Sequence, residues 1–426
     1  MQDFLKAFDK VIGYDDEKRK LMPICDMMRN FDKYKKLGVV MPSGALLQGE
    51  PGFGKTLLAN CFIEACGVPH FLCRKDKADG DFIDQMKKCF DDAVAAAPAI
   101  VFLDDMDKFA NEDKDHKNAE EYVAVQSCID NVKGKNVFVI ATTNELNNLP
   151  DSLLRAGRFD IILTIQGLDQ EDQIKLIKHF LGSKSFLEEI EPEQIRDIIG
   201  GGASCAELEK IINDAAIKVA FENRDTVTRD DIIFACLNHK FGGADSKKRP
   251  SEACRQRTAY HEAGHVVVGE ILTPNSVSLA SIKPYKSSSA GVTCLFDMGD
   301  LMKTYEFRLG QITSLFGGKA AKEIVFNELD LGTKGDLRDA REMLNDLRDD
   351  NAAFGFERRV HWSVSETTRR EGELIVAAEM EKHYQKAREI VIANRAFLDA
   401  VAAALLEKET IFATDIAEIK QRLNIR

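Results

Sequence analysis

Gly49-Glu50-Pro51-Gly52-Phe53-Gly54-Lys55-Thr56 decides how the first half of the chain is read. It fits GxxxxGK[ST] directly after the apolar run Ala45-Leu46-Leu47 and before a helical stretch, the context in which the pattern has physical meaning. Glycines let successive backbone N–H groups curl around phosphate oxygens, and the N-terminus of the next helix adds its dipole. Lys55 is placed to neutralise the β- and γ-phosphates of ATP, and Thr56 to ligate Mg2+.

Outward from this loop, short apolar runs alternate with amphipathic stretches. Ala45-Leu46-Leu47, Ile100 to Leu103, Val137 to Ile140 and Ile161 to Leu163 read as buried parallel strands, with Leu57 to Cys66 and Phe82 to Ala97 as crossover helices. The expectation is a doubly wound α/β layer over residues 1–167. From Asp169 to about Leu237 the strands stop, and the spacing of Ile174, Ile177, Leu208, Ile211, Ile212 and Ala215 suits a small helical bundle over 168–241. The polar stretch Gly242 to Pro250 reads as a linker, assigned to 242–253. Residues 254–426 then form a second, mainly helical domain with a β-like piece from Val277 to Phe296 and a closing helical pattern from about Leu374 to Leu406.

Asp104 and Asp105 end the second of the quoted strands. One carboxylate at that sheet edge can hold the metal while its neighbour orients the attacking water, although a solvated turn would also place two acids there. Asn144, closing the next strand, suits a polar sensor near the γ-phosphate or a helix cap. Arg155 and Arg158 lie too far along the chain for the phosphate cradle but are placed to reach a neighbouring subunit's γ-phosphate, which implies a ring; surface salt bridging is the alternative.

A second motif stands beyond the linker. His261-Glu262-Ala263-Gly264-His265 puts two imidazoles one helical turn apart on one face, able to bind one Zn2+. Glu262 can take a proton from a water that the metal acidifies towards a pKa of about 7. A third ligand is needed. Asp336 opens an amphipathic helix with apolar Leu337, Ala340, Leu344 and Leu347, where it would serve equally as a cap; Glu323, after Gly317-Gly318, is the competing acid.

Composition bounds the rest. With 426 residues two or three domains are expected, and 44% hydrophobic with 30% charged residues is ordinary for a soluble protein. A net charge of −12 argues against nucleic acid or an anionic membrane surface as the main partner. Ten scattered cysteines without a CxxC pair fit free thiols in a reducing cytoplasm, and no apolar run approaches the length needed to cross a bilayer.

These residues together resemble the FtsH family of ATP-dependent zinc metalloproteases over nearly the whole chain. Phe8 to Asp16 resembles the entry to that family's AAA+ module, Leu153 to Asp160 its second region of homology, and Gly202 to Leu208 its lid segment. Thr258 to His265 is similar to its peptidase signature, and Gly335-Asp336 falls where the family has its aspartate ligand. The resemblance therefore implies an AAA+ α/β module with a helical lid, then a mainly helical zinc peptidase. It also implies Asp336 as third ligand with Glu323 supporting from behind, Arg155 and Arg158 as arginine fingers, a hexameric ring, and Gly291 to Phe296 as an edge strand for extended substrate.

Four departures stand out. No counterpart of the N-terminal transmembrane region is expected in this sequence, and Asp105 stands where the family has a catalytic glutamate. The aromatic pore loop has no clear counterpart between Phe71 and Asp84, where Phe82 is the nearest aromatic; the glycine-rich second pore loop is missing from Asn111 to Glu121. The function implied is ATP-dependent cleavage of polypeptides. The alternatives are a peptidase whose slow ATPase mainly supports assembly, and a non-proteolytic remodelling scaffold.

Overall fold

In the computed structural model, five parallel strands carry the first half of the chain: β1 (Gly44–Gln48), β2 (His70–Cys73), β3 (Ala99–Leu103), β4 (Val137–Thr143) and β5 (Ile161–Thr164), in the order β2-β3-β4-β1-β5. The structure describes residues 6–75, 81–110, 119–155, 157–184, 191–200, 202–242, 250–284, 291–295, 304–328, 333–349, 351, 353–354 and 366–425. The expected linker lies largely outside these, at 243–249, as do 76–80 and 111–118, within the segments compared with the two pore loops, and Phe296.

Successive strand residues face opposite sides, so β1, β3 and β4 feed two cores. Leu47, Ile100, Phe102, Phe138 and Ile140 pack with residues of α1 (Asp15–Arg29) and α3 (Lys55–Cys66), which flank the short α2 (Phe31–Lys35). Leu46, Val101, Leu103, Val139 and Ala141 pack with α4 (Phe82–Ala95) and α5 (Ala119–Val132). Phe82 is buried in that second core, 4.9 Å from the ring of Phe109, so it is not an aromatic presented to a pore. The strand β2 was not expected: His-Phe-Leu-Cys at a sheet edge keeps only Cys73 buried and carries no continuous apolar signal.

Registers Gln48↔Thr143, Leu103↔Ala141 and Cys73↔Leu103 bring the carboxyl ends of β1 to β4 close to level. The loop at 49–56, Arg74, Asp104 and Asn144 consequently emerge along one edge, where open α/β sheets bind ligands.

After the sheet the chain is helical, as α6 (Gln170–Gly182), α7 (Pro192–Ile199), α8 (Cys205–Phe221) and α9 (Arg229–Phe241). Ile177, Leu208, Ile211, Ile212 and Ala215 are buried there. Contacts divide the chain into two compact units, Met1–Ser185 with Gly201–Asp214, and Phe186–Gly200 with Ala215–Arg426.

The second unit centres on α10 (Glu252–Leu272), which begins where the Ser251 hydroxyl accepts from the Cys254 N–H. Around it stand α11 (Tyr305–Leu315), α12 (Gly317–Phe326), α13 (Lys334–Asp349), α14 (Glu366–Ala393), α15 (Arg395–Lys408) and α16 (Ala413–Arg422). The expected long closing helix is two, parted at Asn394, whose side-chain amide donates to the Ile390 carbonyl at 2.8 Å. An antiparallel sheet, β6 (Val277–Ser281) between β7 (Val292–Leu295) and β8 (Thr410–Phe412), accounts for the β-like piece. No helix among the described residues is long and apolar enough to cross a membrane.

Candidate functional site

The HExxH segment lies mid-way along α10, where helical spacing stacks His261 and His265 on one face. Their Nε2 atoms are 3.1 Å apart. Asp336, in the first turn of α13, places Oδ2 3.3 Å from His261 Nε2 and 3.7 Å from His265 Nε2. Among the described residues this is the one His/Cys/Asp/Glu group able to surround a metal ion, with its ligand atoms within 4.8 Å of one another. Glu323 is not in it: Lys319 and Tyr384 bind its two oxygens. Burial pushes that carboxyl up, but the two donors outweigh burial and hold it below the ordinary glutamate range.

The donor set fits zinc. A tetrahedral centre with metal–nitrogen bonds of about 2.0–2.1 Å has edges of about 3.3–3.4 Å, and the three separations of 3.1, 3.3 and 3.7 Å bracket that value. The protonation of His265 fits as well. Its Nδ1 is 2.8 Å from the Ser314 carbonyl, which can only accept, so the proton sits on Nδ1 and Nε2 keeps its lone pair for a metal.

Glu262 is 4% exposed, and its Oε2 accepts from the Thr293 hydroxyl of β7 at 2.8 Å. Both histidines, Glu262, Asp336, Val292, Thr293 and Leu295 line one cleft of about 750 Å3. The arrangement can hold a Lewis-acidic ion, a carboxylate base and an extended chain beside a sheet edge in one place. Thr293, the Ser314 carbonyl and Gly318 went unrecognised in the sequence. Gly317-Gly318 at the start of a helix was the available signal: a Cβ on Gly318 would lie 2.5 Å from His261 Nδ1 and 2.7 Å from His265 Nε2.

At the sheet edge of the first unit, Lys55 Nζ donates to the carbonyls of Gly49 (2.7 Å) and Glu50 (2.8 Å) and to Asn144 Oδ1 (2.9 Å). Burial pushes the Lys55 ammonium below its ordinary range, against the opposing pull of Asp105, Asp107 and Asp104. The Thr56 hydroxyl donates to Asp104 Oδ1 at 3.1 Å, and that same oxygen accepts from Thr142 at 2.8 Å. Gly52 and Phe53 direct carbonyls out of the loop to the Ala206 N–H (3.2 Å) and the Tyr14 hydroxyl (2.9 Å). Lys55, Thr56, Asp104 and Asn144 are thus brought together.

Asp105 follows Asp104 in left-handed backbone (φ 54°), and its Oδ2 pairs with Lys108 at 2.6 Å. Asp107, which the sequence did not single out, accepts from the Asn144 N–H at 3.2 Å and so helps set the position of Asn144. Arg155 is exposed, whereas Arg158 forks onto Asp130 (3.2 and 2.7 Å) and also donates to the Ser152 carbonyl.

Comparison with known proteins follows the same division. The family described as ATPase family associated with various cellular activities (AAA) matches residues 45–166, and peptidase family M41 matches residues 248–419. Similar curated proteins include three ATP-dependent zinc metalloproteases. FtsH 4 of Synechocystis sp. is 30% identical over 95% of this chain and 70% of its own length. FtsH 2 of Thermoanaerobacter sp. is 29% identical over 98% of this chain and 83% of its own length. FtsH of Mycoplasma pneumoniae is 30% identical over 98% of this chain, which spans 62% of that relative. With both modules matched and that identity carried across most of the Synechocystis protein, the chain belongs to the FtsH family of ATP-dependent zinc metalloproteases, an AAA ATPase followed by an M41 peptidase.

Proposed function

We propose that this chain is an ATP-dependent zinc endopeptidase, working as a hexameric ring in which nucleotide binding and hydrolysis deliver polypeptide to the His261–His265–Asp336 centre. The observation that carries this reading is the convergence of two imidazole nitrogens and a carboxylate within 4.8 Å, in the cleft that also holds Glu262. His261, His265 and Asp336 would hold zinc, which polarises the scissile carbonyl and acidifies the attacking water. Glu262, oriented by Thr293, takes the proton of that water and returns it to the leaving amine. The edge strand β7 receives extended substrate by strand addition.

In the nucleotide module, Gly49 to Gly54 cradle the phosphates, Lys55 neutralises them, and Thr56 with Asp104 holds Mg2+. Asp105 and Asn144 orient the attacking water. Arg155, exposed, serves a neighbouring subunit's γ-phosphate; Arg158, tied to Asp130, stiffens the segment that presents it. The module boundaries go with this assignment, with the ATPase core at 1–167, the lid at 168–241, the linker at 242–253 and the peptidase at 254–426.

The test is Glu262→Gln. The variant keeps its fold and about one zinc per chain and loses casein cleavage; undiminished digestion overturns the reading. A second reading, in which the motor is slow and ATP mainly assembles the ring, is favoured by one observation, the engagement of Asp105 with Lys108. It fails if folded substrates are degraded quickly and only with hydrolysable ATP.

A further inference from the structure

Arg74 is the first residue after β2, and no motif draws attention to it. The Asp104 N–H donates to the Cys73 carbonyl at 3.1 Å, which sets Arg74 beside the aspartate at the sheet's carboxyl edge. There Arg74 Nη1 is 3.5 Å from Asp104 Oδ2. The two oxygens of Asp104 therefore divide their partners: Oδ1 accepts from the hydroxyls of Thr56 and Thr142, while Oδ2 faces the guanidinium. One buried carboxylate links the arginine to the phosphate loop.

We propose that Arg74 is a phosphate-contacting arginine supplied in cis, which leaves Asp104 for the terminal phosphates when ATP and its metal bind; this rests on the nucleotide-binding reading above. The Arg74 side chain is 48% exposed, so solvent reaches the guanidinium although its partner carboxylate is buried. The electrostatics of ligand binding give a reason for a cation at that spot. Asp104, Asp105 and Asp107 already crowd this edge with negative charge, and a nucleoside triphosphate adds more.

Lys55 brings one positive charge against these carboxylates, and Lys108 is paired with Asp105. A divalent ion taken up by Asp104 competes with the guanidinium for the same carboxylate, so metal binding itself drives Arg74 off Oδ2. The nearest new anions are the β- and γ-phosphates, which a planar guanidinium grips with two parallel hydrogen bonds. A finger carried by the same chain needs no neighbour to complete it, in contrast to Arg155.

The test uses the full chain with Mg2+ and measures ATP and ADP affinity by calorimetry, alongside ATP turnover, for wild type, Arg74→Ala, Arg74→Lys and Lys55→Ala. Arg74→Ala is expected to weaken ATP about tenfold while leaving ADP within about twofold, to slow turnover at least tenfold, and to do so at any protein concentration. Arg74→Lys keeps the charge without the fork and falls between. If both Arg74 variants hold the wild-type ATP/ADP ratio and turnover, the pair with Asp104 is a surface salt bridge only and the inference is wrong. Wild-type ATP binding by Lys55→Ala would instead remove the nucleotide-binding reading on which it rests.

Discussion

Gly264 and Gly317 touch backbone to backbone. A Cβ on Gly264 would fall 2.2 Å from the Gly317 carbonyl oxygen, and one on Gly317 would fall 2.3 Å from the Gly264 oxygen. The crossing of α10 and α12 therefore leaves no room for a side chain at either glycine, and Gly264 lies between the two histidines of the candidate metal group. Gly318, one residue on, then lies against both rings, so α12 forms a wall of the site without contributing a ligand.

Replacing Gly264 by Ala pushes backbone against backbone, with no flexible side chain to give way. Overpacking of this kind costs about 1–3 kcal/mol, and here the displacement falls between the ligands. The expected result is a lower melting temperature together with less than one zinc per chain after dialysis. A variant that melts and loads zinc like wild type would show that the helices part freely.

Gly291, just before β7, bears on the proposed base Glu262 and not on the proposed metal ligands. A Cβ there would meet Glu262 Oε1 at 2.6 Å and the Ser281 carbonyl at 2.9 Å; the carboxylate can swing away, but the backbone cannot. Gly291→Ala is expected to lower kcat for peptide cleavage about tenfold or more while zinc content stays unchanged. Loss of zinc in step with activity would move the effect from Glu262 to the ligands.

Asp231 carries a pH dependence that can be separated from catalysis. It is 3% exposed and accepts from Arg224 (2.6 and 2.9 Å), Lys218 (2.8 Å), and the N–H (3.0 Å) and hydroxyl (2.7 Å) of Thr228, capping α9. Burial pushes the carboxyl up, but these donors outweigh it and hold the group far below the usual carboxylate range. A depressed acid stabilises the fold above its unfolded pKa of about 3.9, and that contribution is lost as pH falls towards the folded value. With Arg224 and Lys218 partly exposed, Asp231→Asn is expected to cost about 1–3 kcal/mol at pH 7 and progressively less below pH of about 4. Urea denaturation at both pH values checks this, and a gap independent of pH refutes it.

What could be read from the residues alone follows a physical division. Strands β1, β3 and β4 were legible because strands buried on both faces leave continuous apolar runs; edge strand β5, with only Leu163 buried, was legible from its Ile-Ile-Leu run alone, whereas edge strand β2 leaves none. His261 and His265 were legible because four residues make one helical turn. Asp336 was not decidable by spacing, since only the packing of α13 against its neighbours brings it to the imidazoles; resemblance to a family supplied that choice. Thr293, the Ser314 carbonyl, Asp107 and Gly318 act through contacts across the fold, which no local pattern encodes. The break at Asn394 was missed because apolar periodicity continues across it.

The pair Asp105–Lys108 bears on how fast the motor turns. In the proposed role Asp105 has one methylene less than glutamate to reach an attacking water, and its Oδ2 pairs with Lys108 at 2.6 Å, three residues along the chain. The Asp105 N–H, fixed on the Thr142 hydroxyl at 2.9 Å, keeps the backbone from compensating. Releasing the carboxylate is the available remedy: Lys108→Ala is expected to raise ATP turnover several-fold with ATP affinity little changed. The Lys108 side chain is 51% exposed, so salt screens the pair; wild-type turnover should rise with ionic strength, and the variant's should not. Steady-state rates at low and high salt decide the matter. If Lys108→Ala is slower than wild type, the lysine assists hydrolysis and does not restrain Asp105.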